Sequence, residues 1–119
     1  MIEAHATSRY QPGSAKKLLL VADLIRGKAV PLALKTLVFL AKPSKAPVMK
    51  TLRSAVANAI NKAGKAKLHE EDLIVAEVRI DQGPVLKRWN PGPRGSATPI
   101  RRRSVHVSVR VATRKGAKV

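Results

Sequence analysis

Residues 86–103 read LKRWNPGPRGSATPIRRR; six of them are Lys or Arg and none is Asp or Glu. On either side the sequence alternates. Upstream, Ile74, Ala76, Val78 and Ile80 fall on one face, with Val75, Glu77, Arg79 and Asp81 on the other. Downstream, Val105, Val107, Val109 and Val111 share a face opposite His106, Ser108 and Arg110. A period of two marks half-buried strands. Strands joined as a hairpin are normally linked by roughly 2–5 residues, so this connection is far too long for a plain turn. Folded out and back, about ten residues each way at ~3.3 Å per residue form an arm of about 30 Å. A globule of this length has a radius of gyration of only about 13–14 Å. The arm, at about residues 83–104, therefore protrudes, with almost nothing apolar to hold it, and it calls for an anionic partner.

Its chemistry points the same way. Lys87 and Arg88 on the outgoing limb meet Arg101, Arg102 and Arg103 on the returning one, a like-charge arrangement that destabilises a hairpin lacking counter-ions. Phosphates would remove the repulsion, and arginine can grip them in bidentate fashion. Trp89, the single tryptophan, either stacks on a base or sugar or covers the stem; the sequence leaves both open. Pro91, Pro93 and Pro99 with Gly92 and Gly95 predict an interrupted ladder and an irregular tip, because proline lacks the ladder donor. The plain alternative for the free protein is a solvated, charged loop.

The remaining composition is consistent with that partner. A chain of 119 residues without a linker is expected to be a single domain spanning 1–119. Hydrophobic residues make up 45% and aromatics 3%, so the core must be built from Val, Leu, Ile and Ala. With 24 Lys/Arg against seven Asp/Glu the net charge is +17, which makes nucleic acid the first inference. No acid occurs between Asp23 and Glu70 or after Asp81. Cysteine is absent, which excludes disulfides, thiolate metal sites and thiol chemistry. The longest apolar runs, such as 18–22 and 37–41, are far short of a bilayer span. The opening MIEAHATSRY has no apolar signal core. A cytoplasmic setting and no membrane partner are expected.

Residues 4–10 suggest a short edge strand. Pro12 and Gly13 make a turn, and Ser14 is placed to cap a helix with its hydroxyl. Leu18, Val21, Ala22 and Ile25 then recur at helical spacing up to Gly27, a suitable C′ residue. Lys16 and Lys17 occupy the first turn, the unfavourable end of the helix dipole; they are placed for an external partner or are simply solvated. A second helix from Pro31 shows the stripe Leu34, Leu37, Val38 and Ala41, before Pro43 and Pro47 break the pattern. A third, at 46–63, buries Val48 or Met49, Leu52, Val56, Ala59 and Ile60, stops at Gly64, and turns Lys50, Arg53, Asn58, Asn61 and Lys62 outward, with Ser54, Ala55 and Ala57 between. Residues 62–72 read as a loop and 113–119 as a frayed tail. The order predicts an α+β fold: three helices packed on a small antiparallel sheet, with a long protruding β-hairpin arm.

Enzyme signatures are lacking. His5, His69 and His106 have no metal-ligand spacing, and His106 reads as a surface or RNA-facing imidazole. Glu70, Glu71 and Asp72 read as a solvated counter-charge rather than an acid/base pair. Neither glycine-rich nucleotide motif occurs. No cofactor, metal or catalytic residue is expected.

Across essentially its whole length the chain resembles the bacterial-type family of large ribosomal subunit protein number twenty-two, a universal ribosomal protein. LVADLIRGK at 20–28 resembles the signature of the family's first helix, and SAVANA at 54–59 the small-residue stretch of its third. GPVLKR at 83–88 leads into the arm, and SVHVSV at 104–109 resembles the returning strand. The family's tip usually reads Pro-Arg-Ala-x-Gly-Arg-Ala; here Gly92 and Ser96 stand for two arginines and Pro93 for an alanine. Pro31 takes the place of a frequent capping serine.

The resemblance implies a structural constituent of the large subunit that binds its ribosomal RNA and aids assembly. It implies that the arm runs through the RNA core and that its tip (Pro91, Gly92, Pro93, Arg94, Gly95, Ser96) lines the nascent-peptide exit tunnel. Expected partners are large-subunit rRNA, neighbouring ribosomal proteins and the passing nascent peptide, with no homo-oligomer. The expected rRNA-binding residues are Arg9, Lys16, Lys17, Arg26 and Lys28 on the body and Lys87, Arg88, Trp89, Arg94, Arg101, Arg102 and Arg103 on the arm. Two rival readings of the residues are a DNA-binding architectural protein, suggested by the helix–Gly–helix passage at 14–41, and a membrane-active protein using KKLLLVADLIR as an amphipathic helix.

Overall fold

A computed structural model describes residues 3–41, 45–63 and 69–113. The elements run β1 (Glu3–Pro12), α1 (Ala15–Ile25), α2 (Val30–Phe39), α3 (Lys45–Ala63), β2 (Leu73–Gln82), β3 (Leu86–Pro91), β4 (Ala97–Arg102) and β5 (Ser104–Thr113). A short 3-10 turn, Glu70–Asp72, precedes β2. The last strand is the centre of the main sheet: β5 lies antiparallel between β1 and β2, while β3 and β4 form a separate ladder. This is the expected α+β arrangement with its projecting hairpin. The edge strand is longer than the sequence suggested.

Val105, Val107, Val109 and Val111 of β5 are all buried, as their alternation predicts. β2 departs from its predicted alternation. An extra residue between Val75 and Glu77 shifts its register against β5, so Leu73 and Val75 enter the core before the bulge and Val78 after it. Ile74 and Ala76 are only half-buried. One inserted residue reverses the phase of every side chain beyond it. The loop after α1 holds that phase: Gly27 N–H donates to the Val75 carbonyl, and Val75 N–H donates to that of Lys28, each at 2.9 Å.

In α1 the buried residues are Leu18, Val21, Ala22 and Ile25, as read from their spacing, so the stripe that a membrane-active helix would use packs the core, while Leu19, Leu20 and Leu24 stay exposed. Gly27 takes φ +79° just beyond the helix. Ser14 occupies the N-cap, but its hydroxyl makes no capping bond. In α2 the buried set is Val30, Ala33 and Leu37, with Leu34 packed alongside; Val38 and Ala41 lie outside it. The helix rests on the residue before Pro31, which rotates the inward stripe from the one expected. Pro47 does not break a helix: it sits in the first turn of α3, where its missing N–H costs nothing. In α3 Ala55 and Thr51 are buried and Ile60 is exposed. Thr51 donates its hydroxyl to the Pro47 carbonyl at 2.7 Å and lies 2.9 Å from the Ser8 hydroxyl, tying α3 to β1. Pro43, the expected helix stop at Gly64 and the tail after Thr113 lie outside the described residues.

Residues from all three helices and from β1, β2 and β5 join one apolar core. The radius of gyration is 17.7 Å and the principal extents are 68 × 25 × 15 Å. A compact chain of this length would have a radius of about 13–14 Å; the excess is the arm.

Candidate nucleic-acid interface

The arm is more regular than its prolines suggested. Pairing is unbroken from Leu86↔Arg102 through Trp89↔Pro99 to Pro91↔Ala97. In an antiparallel ladder, hydrogen-bonded and non-hydrogen-bonded pairs alternate. Pro99 has no N–H to exchange, so its pair is non-bonded, and Pro91↔Ala97, two residues on, has the same parity. Neither proline therefore removes a ladder bond. Gly92 confirms the parity by donating to the Ser96 carbonyl one step beyond.

That register places Lys87 directly opposite Arg101, in the pair class whose side chains approach most closely. Arg88 and Arg102 are diagonal neighbours on the other face. Along β3 every residue is exposed, and along β4 all but Ile100 are. Trp89, opposite Pro99, remains 66% exposed. The arm thus has no core of its own, and its ladder carries cations on both faces.

At the tip, Pro93–Gly95 forms a 3-10 turn with Arg94 at φ 58°, ψ 34° and Gly95 at φ 75°. A Cβ on Gly92 would lie 2.9 Å from the Ser96 carbonyl oxygen. A side chain at this position would force the turn to shift, so the tip as folded depends on glycine there.

At the root, Gly83 N–H donates to the Ser104 carbonyl (2.9 Å), and Gly13 N–H to that of Arg103 (3.2 Å). Three separated segments meet here around a cleft of about 430 Å³, with Ser14, Lys16, Gly83, Arg101, Arg103 and Ser104 among its lining. The uncapped first turn of α1 opens beside it, and free amides at a helix start favour anions. Lys16, Arg101 and Arg103 are therefore brought together, and the local charge suits a phosphate. A Cβ on Gly83 would stand 2.6 Å from Ser104 Oγ and 3.3 Å from the His106 ring, and that hydroxyl already donates to the Pro84 carbonyl at 2.7 Å. Gly83→Val should cost about 1–3 kcal/mol by overpacking, measured as a lowered denaturant midpoint at unchanged slope.

The other predicted residues are dispersed. Arg9 is exposed on β1 and Lys17 on α1. Lys28 and Arg26 lie beyond the opposite end of α1 from the cleft. Arg26 donates to Asp23 Oδ1 at 2.6 Å and to the Val78 carbonyl at 2.8 Å, so part of its guanidinium secures α1 to β2. Nor is His106 a plain surface imidazole: its Nδ1 accepts the Tyr10 N–H at 3.0 Å. Sequence reading did not single out Tyr10, Ser14 or Gly83 as site residues, because they join the interface through the bulge of β1 and the crossing at the root.

The outer sheet face differs in charge. Arg110 reaches Glu3 at 3.2 Å and Glu77 at 3.3 Å, and Arg79 reaches Glu77 at 3.6 Å. These exposed pairs contribute little stability, but they neutralise this face while the arm and its root stay cationic. Among the described residues no cluster of His, Asp or Glu could hold a metal ion, and no helix is long and apolar enough to cross a membrane.

Fold and surface together define an arm-bearing α+β protein whose exposed cations are arranged for a polyanion. The family model described as ribosomal protein L22p/L17e matches residues 6–112. The large ribosomal subunit protein uL22 of Pediococcus pentosaceus is 42% identical over 112 residues, covering 94% of this chain and 92% of the relative. That of Desulfitobacterium hafniense is 44% identical over 115 residues, covering 97% and 98%. That of Myxococcus xanthus is 40% identical over 114 residues, covering 96% and 99%. The chain belongs to the ribosomal protein L22p/L17e family. It is a structural, non-enzymatic constituent of the large ribosomal subunit, which in bacteria is cytoplasmic.

Proposed function

We propose that the protein binds large-subunit ribosomal RNA through its arm and the cleft at the arm's root, and that this helps the subunit assemble. The observation that carries the reading is the pairing of Lys87 opposite Arg101 in an arm without buried side chains. An isolated two-stranded hairpin is marginal in water, and this one adds like-charge repulsion. Phosphates packed against both faces supply the missing counter-charge, and the arm in turn draws separate RNA segments together.

The tip, Pro91 to Ser96, then lines the nascent-peptide exit tunnel, with Arg94 as its charged group. This reading rests on family membership and on the tip being the point farthest along the arm. Neighbouring ribosomal proteins meet the body through exposed apolar side chains of α1 and α2, including Leu20, Leu24, Leu32, Val38 and Phe39. The protein acts as one copy within the subunit. The DNA-binding alternative is weaker, because the exposed face of α2 is mostly apolar (Leu32, Val38 and Phe39) and offers few side chains, Lys35 among them, able to read base edges.

Competition at moderate salt between large-subunit rRNA and random duplex DNA tests the proposal. The expected result is preferential binding to rRNA, with affinity falling steeply as salt rises. Equal affinity for the two would sink it.

A further inference from the structure

Tyr10 adopts φ +58°, a left-handed conformation that glycine takes freely and a bulky side chain does not. It sits in a bulge. Between the pairs Ser8↔Val107 and Gln11↔Val105, the two residues Arg9 and Tyr10 stand opposite the single residue His106. The bulged amide of Tyr10 donates to His106 Nδ1 at 3.0 Å, which places the proton of a neutral imidazole on Nε2. The two rings meet edge to face, their centroids 5.0 Å apart at 89°. Yet all this fixes a side chain that remains 65% exposed. Burial does not account for a tyrosine held in a strained conformation at the surface, and such outliers cluster at functional sites.

The position of the ring indicates its use. His106 lies against Gly83, where an added Cβ would be 3.3 Å from its ring, and Gly83 lines the cleft at the arm root. Three residues beyond Tyr10, Gly13 lines the same cleft. Arg9 is exposed beside the ring. A fixed, exposed aromatic next to a cationic cleft has the two components of a single-stranded nucleic-acid site: a face for a base and charge for the backbone.

We propose that Tyr10 is a stacking platform for an unpaired nucleobase of the RNA strand whose backbone occupies the arm-root cleft. This deepens the rRNA-binding reading and rests on it. The test is binding of the full chain and its variants to large-subunit rRNA across a salt series. Tyr10→Ala should weaken binding about 5- to 150-fold, the range of base–aromatic stacking. The slope of log K against log salt should not change, because the lost contact carries no charge. Tyr10→Phe should bind as the wild type does. Tyr10→Gly, which relieves the backbone, should melt no lower than wild type and still bind as weakly as Tyr10→Ala; a purely structural tyrosine would not separate stability from binding in this way. Wild-type affinity in both Tyr10→Ala and Tyr10→Gly overturns the inference and leaves Tyr10 as a protein-contact residue. Failure of the wild-type chain to bind rRNA overturns the underlying reading as well.

Discussion

Replacing residues 84–103 with Asn-Gly should leave a folded body that has lost most of its salt-dependent affinity for large-subunit rRNA. Gly83 and Ser104 are already a hydrogen-bonded pair at the arm root, and Asn-Gly is the favoured two-residue link between antiparallel strands. The excised residues include all six arm cations and no residue of the apolar core. Each neutralised phosphate contributes about 0.7–0.9 to the slope of log K against log salt, so the slope should fall by about 4–5. Over 50 to 200 mM salt the intact chain should lose on the order of a thousandfold more affinity than the shortened one. Isothermal binding across a salt series gives both numbers, and a thermal melt establishes that the body is intact.

Arg101→Glu should move stability and binding in opposite directions. In the free protein it converts the Lys87–Arg101 repulsion into an opposite-charge pair, a change of about 0.2–1 kcal/mol in favour of the ladder. Against RNA it removes one phosphate contact and introduces a repulsive one, so affinity should fall by at least tenfold, with Arg101→Gln between the two. Slower amide exchange at Arg88 and Asn90, together with weaker rRNA binding, is the expected pattern. Faster exchange in Arg101→Glu would show that the like-charge pair is not what limits the free arm.

The sequence made some elements legible because their signal is local. The valines of β5 and the buried face of α1 follow from spacing within one segment, and both are found as read. The phase of β2 is not local: it turns on an extra residue held by the Gly27–Val75 and Lys28–Val75 backbone bonds, which come from a loop about fifty residues earlier. Pro91 and Pro99 looked like ladder breakers only while their pairing parity was unknown; parity depends on register, and register on both limbs together. In α2 the choice among near-equivalent apolar stripes was decided by the seating of Val30 and Ala33 against the core. The candidate interface was visible as charge in the arm. Its root was not, because Lys16, Gly83, Arg101 and Arg103 converge only after the sheet has formed. The Tyr10 bulge was hidden for a similar reason, since the partner of its amide is the histidine across the ladder.

Chemical footprinting of large-subunit rRNA with the full chain and with the Asn-Gly replacement addresses the arm most directly. Two sets of protections are expected with the full chain, one from the body and one from the arm. The second set should disappear when residues 84–103 are replaced, while protections near the body persist. If every footprint survives the replacement, the arm is not an RNA-binding element and the account of its like-charge ladder is wrong.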